Sequence, residues 1–111
     1  MPDHSEQELL VWARRGDRGA FDRLRRELEA PVRRFLFRLV GPIPSGEEIV
    51  QDAFVALYQN LKRIQQADGL RPFLFRVIRN LCYDELKRRG RFQVVSWDQE
   101  IDQPGASLRT L

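Results

Sequence analysis

Residues 70–91 read LRPFLFRVIRNLCYDELKRRGR. In this stretch Phe73, Leu74, Val77, Ile78, Leu81, Cys82 and Leu86 recur at three- and four-residue spacing, which is the apolar stripe of a core-facing helix. At about 100° per residue, Arg76, Arg79, Asn80, Tyr83 and Lys87 gather on the other side within an arc of about 100°. That outer face is almost purely cationic, with one amide and one ring between the cations. Lysine and arginine neutralise phosphates, an amide bonds base edges, and a ring stacks on an unpaired base. The face reads as a nucleic-acid surface. For Arg88, Arg89 and Arg91 a solvated helix end is the simpler reading, because the helix dipole favours cations there. Tyr83 stays open between a stacking ring and a half-buried ring with a wet hydroxyl.

Working outward, the rest of the chain reads as helices that supply the other walls of a core. Ser5 followed by Glu8 is a capping box and starts a short helix that runs to about Arg15 and stops at Gly16. Asp17 caps a longer helix whose buried stripe is Phe21, Leu24, Leu28, Val32, Phe35, Leu36 and Leu39. Pro31 lies inside that stripe and predicts a kink or a break. GPIPSG, from Gly41 to Gly46, is a turn. Ser45 with Glu48 repeats the capping box and opens a third helix to about Leu61. Lys62 to Gly69 is a polar loop, and Pro72 fits the first turn of the fourth helix, which ends near Gly90. Beyond Arg91 the period fails: FQVVSW is a short extended piece and the last residues are an acidic, turn-rich tail. The fold expected is all-α, a compact bundle of about four helices with a flexible C-terminal tail. Residues 1–91 form the domain and 92–111 an acidic linker or tail.

The third helix carries a second surface. Ile49, Val50, Ala53, Phe54, Leu57, Tyr58 and Leu61 point inward by spacing, and Glu48, Gln51, Asp52, Val55 and Gln59 share the outward face. A valine ringed by carboxylates and amides has the anatomy of a small protein-docking patch.

Bulk properties bound the function. The 111 residues, 42% hydrophobic and 32% charged, suit one globular domain. The net charge of +3 is unevenly spread: residues 61–91 hold nine basic and three acidic side chains, while residues 1–60 hold nine and ten. A localised basic block is an electrostatic footprint for a polyanion. No apolar run reaches the roughly 20 residues of a membrane span, and MPDHSEQELL lacks the features of a signal peptide, so a cytoplasmic protein without membrane insertion is expected. One cysteine and one histidine, Cys82 and His4, are far apart in sequence. With no glycine-rich phosphate loop, no metal-ligand cluster and no activated nucleophile, the sequence predicts neither an enzyme nor a cofactor, a metal or a small-molecule substrate. Cys82 reads as a small buried hydrophobe, Trp12 and Trp97 as packing residues, and Phe73 and Phe75 as core or rim.

Three strings, in order, resemble region two of bacterial sigma factors of the extracytoplasmic-function (ECF) group. ARRGDRGAFDRL (13–24) is similar to that group's first segment. EEIVQDAFVALYQNL (47–61) is similar to its acidic second segment, and LRPFLFRVIRNLCYDELKRR (70–89) to the segment that melts and reads the promoter −10 element. The resemblance implies that Glu48, Gln51 and Asp52 dock on the clamp-helix coiled coil of the RNA polymerase β′ subunit, to which helix geometry adds Val55 and Gln59. It implies that Arg79 and Asn80, with Arg76 nearby, face the non-template strand of the −10 DNA. The loop from Lys62 to Arg71, with cations Lys62, Arg63 and Arg71, would take up an extruded base. An anti-sigma protein covering one or both faces is also implied. The chain departs from the family pattern in a loop one residue shorter, RIQQADG, and in Phe73 at the position of the usual tryptophan. A second helical domain reading the −35 element has no counterpart after Arg91. The chain is then either a first domain with part of a linker or a protein that works without the second domain. The rival readings are a small helical protein-interaction module and a non-specific nucleic-acid binder.

Overall fold

A computed structural model describes residues 4–88, and they form four helices around one core. The first, α1 (Glu6–Arg14), starts as its capping box requires: the Glu8 N–H donates to Ser5 Oγ at 3.1 Å and the Ser5 N–H to Glu8 Oε1 at 3.0 Å. It stops at Gly16, whose φ of 103° suits a residue without a Cβ. Asp17 then caps α2 (Arg18–Val40), accepting the Ala20 N–H at 3.1 Å. Pro31 does not divide α2, which runs as one unbroken helix to Gly41. Pro31 itself is only half-buried, while Leu28 and Val32 beside it are fully buried. Tertiary packing on both sides outweighs the backbone hydrogen bond that the proline removes.

The third helix, α3 (Gly46–Gln59), ends two residues before Leu61, and α4 spans Leu70–Arg88. Its expected end near Gly90, the extended FQVVSW piece, the acidic tail and the packing role of Trp97 all lie outside the described residues. The segment between α3 and α4 is more ordered than a plain polar loop. It holds two 3-10 turns, Leu61–Arg63 and Ala67–Gly69, and buries Leu61 and Ile64.

The core is a set of four-residue ladders. Ala20, Leu24, Leu28, Val32 and Leu36 bury one line of α2; Leu70, Leu74, Ile78 and Cys82 bury one line of α4. Leu9, Leu10 and Ala13 of α1 and Ile49, Val50, Ala53, Phe54 and Leu57 of α3 complete the cluster. Such i, i+4 rows pack as ridges into grooves. At the flank, Phe35 of α2 stacks on Phe75 of α4 with centroids 4.5 Å apart, so both rings are rim residues. Phe73, Val77, Leu81 and Leu86 flank the buried line of α4 half-exposed.

Two expectations about α3 are corrected. Tyr58 does not point inward: it is 47% exposed, its ring set edge-to-face against Phe21 of α2 at 5.1 Å. Ser45 precedes the helix but caps nothing. Its ψ of 12° is far from the extended conformation that turns a hydroxyl onto the first helical N–H groups, and Ser45 Oγ is buried without a partner.

Candidate nucleic-acid interface

The buried ladder of α4 fixes where its other face points. Arg76, Arg79, Asn80 and Lys87 are exposed and Tyr83 is half-buried, as the amphipathic division requires. Arg71 pairs with Glu6, and Arg88 with Glu85. Arg76, Arg79 and Lys87 enter no ion pair with the described residues, so their charge is available to a ligand. The Arg76 guanidinium lies 5.8 Å from the centroid of Phe73, a cation–π geometry that holds it beside the start of the helix.

Beside Arg76 the loop opens a cleft of about 360 Å³. Asn60, Arg63, Gln65, Gln66 and Asp68 line it from the loop, and Phe73 and Arg76 from α4. Amides that bond base edges, an apolar ring and two guanidinium groups are the chemistry that holds one unstacked base. Of the residues expected to bind DNA, Arg63 and Arg76 meet in this cleft, and Arg79, Asn80 and Lys87 continue along the helix. Lys62 is exposed but outside the cleft, and its carbonyl accepts Arg14 Nη2 at 3.2 Å. Arg71 also lies outside it, making two bonds to the Glu6 carboxylate at 3.1 and 3.2 Å.

Sequence reasoning did not single out Asn60, Gln65 or Gln66 as site residues. Asn60 ends α3, its Nδ2 donating to the Ala56 carbonyl at 2.8 Å, and so anchors the first wall of the cleft. The amide-rich pair in RIQQADG was the available signal. Phe73, read from the sequence as core or rim, is half-buried and lines the cleft as well.

On α3 the outward face is as expected: Glu48, Gln51, Asp52, Val55 and Gln59 are all exposed. Tyr58 joins Val55, so the patch holds two large apolar side chains, 47% and 50% exposed. The neighbouring Glu47 is hydrogen-bonded to Arg33 of α2, which holds its carboxyl below the usual range and the Arg33 guanidinium above its own. Glu47 is thereby engaged within the domain, and Glu48 and Asp52 carry the acidic charge of the patch. Among the described residues no cluster of acidic, histidine and cysteine side chains could hold a metal ion, and no helix is long and apolar enough to cross a membrane.

The family model described as Sigma-70 region 2 matches residues 24–92. The RNA polymerase sigma-H factor of Pseudomonas aeruginosa is 25% identical over 91 residues, covering 82% of this chain and 47% of that protein. The ECF RNA polymerase sigma factor SigE of Mycolicibacterium smegmatis is 27% identical over 105 residues, covering 92% of this chain and 40% of that protein. A probable RNA polymerase sigma factor of Haemophilus influenzae is 30% identical over 51 residues, covering 46% of this chain and 26% of that protein. The chain therefore spans about half the length, or less, of the curated relatives it matches. No solved structure matches it significantly. With its family model spanning more than half of its length, from α2 through the whole of α4, the chain belongs to the Sigma-70 region 2 family.

Proposed function

We propose that this domain directs RNA polymerase to promoters, α3 docking on the β′ clamp helices of the core enzyme and α4 with its loop capturing the non-template strand of the −10 element. The domain would span residues 1–91, with 92–111 a linker or tail, and would act in the cytoplasm. The observation that carries the reading is the exposed cationic face of Arg76, Arg79 and Lys87, free of ion pairs among the described residues, leading into the cleft beside Arg76. Opening a duplex costs unstacking and unpairing energy, a few kcal/mol per base. A surface that binds only the opened strand offsets that cost without hydrolysing anything, so no catalytic group is required. Arg79 and Lys87, with Arg63 and Arg76 at the cleft, hold phosphates; Asn80 reads a base edge; Tyr83 supplies a ring at the edge of the face. Lys62 and Arg71 act from the borders of the loop.

On α3, Glu48 and Asp52 would set orientation and association rate against a basic coiled coil, while Val55 and Tyr58 supply desolvated contact and Gln51 and Gln59 a polar rim. An anti-sigma protein that covers both faces would silence the domain.

The test uses the chain with RNA polymerase core and single-stranded DNA separately. Asp52→Arg is expected to abolish co-purification with core enzyme and to leave single-stranded DNA binding intact. Asn80→Ala is expected to narrow the difference in affinity among −10-like sequences by roughly tenfold, the worth of a good base contact. Core binding that survives Asp52→Arg would count against docking through α3, and DNA binding indifferent to sequence would instead favour a non-specific nucleic-acid binder.

A further inference from the structure

Three side chains of α1 cross to the segment that borders the cleft. Gln7 Oε1 accepts the Ala67 N–H at 2.8 Å, sixty residues away in sequence. Glu6 takes two parallel bonds from the Arg71 guanidinium at 3.1 and 3.2 Å. Arg14 Nη2 donates to the Lys62 carbonyl at 3.2 Å. These contacts fall at the start and the middle of the loop and on the first turn of α4. None of the residues lining the cleft belongs to α1, and α1 lies outside the stretch matched by the family model.

Their placement argues against a purely stabilising purpose. The Glu6–Arg71 pair is partly exposed, where ion pairs add little to stability. Leu9, Leu10 and Ala13 already bind α1 to the core. What the polar contacts do is fix the backbone that carries Arg63, Gln65 and Gln66. The Gln7 bond matters most, because the Ala67 N–H is part-buried and without an acceptor must move toward water. A loop held in its binding geometry before the ligand arrives loses less entropy on binding.

We propose that α1 positions the cleft, with Gln7 as the key positioning residue and Glu6 and Arg14 in support, and so sets how strongly the cleft distinguishes an extruded base from bare backbone. The inference rests on the strand-capture reading above. Gln7 touches no nucleic acid; it acts through the loop.

The experiment measures affinity of the full chain for single-stranded −10-like oligonucleotides in which each position in turn is a normal base or an abasic site. The wild type is expected to favour the base roughly tenfold at one position, the size of a single base contact. Gln7→Met, similar in length but with only a weak thioether acceptor, is expected to reduce that ratio to below about threefold with at most a small loss of melting temperature and no change in the salt dependence. Gln7→Glu, whose carboxylate accepts the same N–H, is expected to keep it. Independently, Glu6→Arg should lower the ratio, while Glu6→Gln, whose Oε1 still accepts from the Arg71 guanidinium, should largely keep it. A full ratio in both Gln7→Met and Glu6→Arg overturns the role of α1 while leaving strand capture standing. A wild type that shows no base preference at any position overturns strand capture itself, and the positioning role with it.

Discussion

Cys82 shows how a single side chain reports on the whole helix. It occupies the last rung of the α4 ladder, fully buried, and burial pushes its thiol up to about 12 from an ordinary 9.0. The folded state thus disfavours the thiolate. Because the folded value lies above the unfolded one, the stability that Cys82 contributes is complete below about pH 9 and is lost as pH rises toward 12. Urea unfolding should therefore show the wild type's advantage over Cys82→Ala shrinking between about pH 9 and pH 12. A constant advantage would mean that the thiol is not buried as described. The sequence alone placed Cys82 correctly because it continues the i, i+4 row of Leu70, Leu74 and Ile78 within the apolar arc. Tyr58 was misplaced for the complementary reason. Leu57 is fully buried at the centre of the α3 arc, and the next residue on a helix lies about 100° away, at the arc's edge. Spacing cannot decide an edge position; the neighbouring helix does, and here Phe21 of α2 meets the Tyr58 ring edge-to-face and leaves it 47% exposed.

Helix starts show the same division between local and distant causes. Ser5/Glu8 and Ser45/Glu48 are identical as sequence signals, yet only the first closes into a capping box. Ser5 is extended, with ψ of 160°, and reaches the Glu8 N–H. Ser45 leaves the GPIPSG turn with its backbone already near-helical, the Gly46 N–H donating to the Ile43 carbonyl at 3.1 Å, and its hydroxyl is buried without a bond. Ser5→Ala should therefore cost about 1 kcal/mol, the usual worth of an N-cap. Ser45→Ala should cost nothing or stabilise, since it removes a buried polar atom that has no partner. Chemical denaturation of the two variants compares them directly; equal losses would mean that Ser45 caps α3 after all. The connection between α3 and α4 was legible only as polar. Its 3-10 turns and its cleft depend on Gln7, Arg14 and Glu6, which no local window contains. The fold was written in periodicity, while part of the candidate site was written in contacts between the first helix and residues 62–71.

Across the whole molecule, the distribution of charge ties the fold to the proposed role. One small core orients two helices so that α3 shows an acidic patch around Val55 and Tyr58 and α4 shows cations. The bundle can then address a protein and a polyanion at the same time, and the two surfaces should be separable by mutation. Binding of single-stranded DNA by the four cations Arg63, Arg76, Arg79 and Lys87 releases about 0.7 counterion per neutralised phosphate, so the logarithm of affinity should fall against the logarithm of salt with a slope near −3. Arg79→Ala should lower the steepness by about 0.7 and weaken every sequence alike, because a phosphate contact carries no base information. Asp52→Arg, on the other helix, should leave the slope unchanged if the α3 patch stays clear of the strand. A slope that steepens by a full unit in Asp52→Arg would place the strand across both helices and would make the division into a docking face and a capture face wrong.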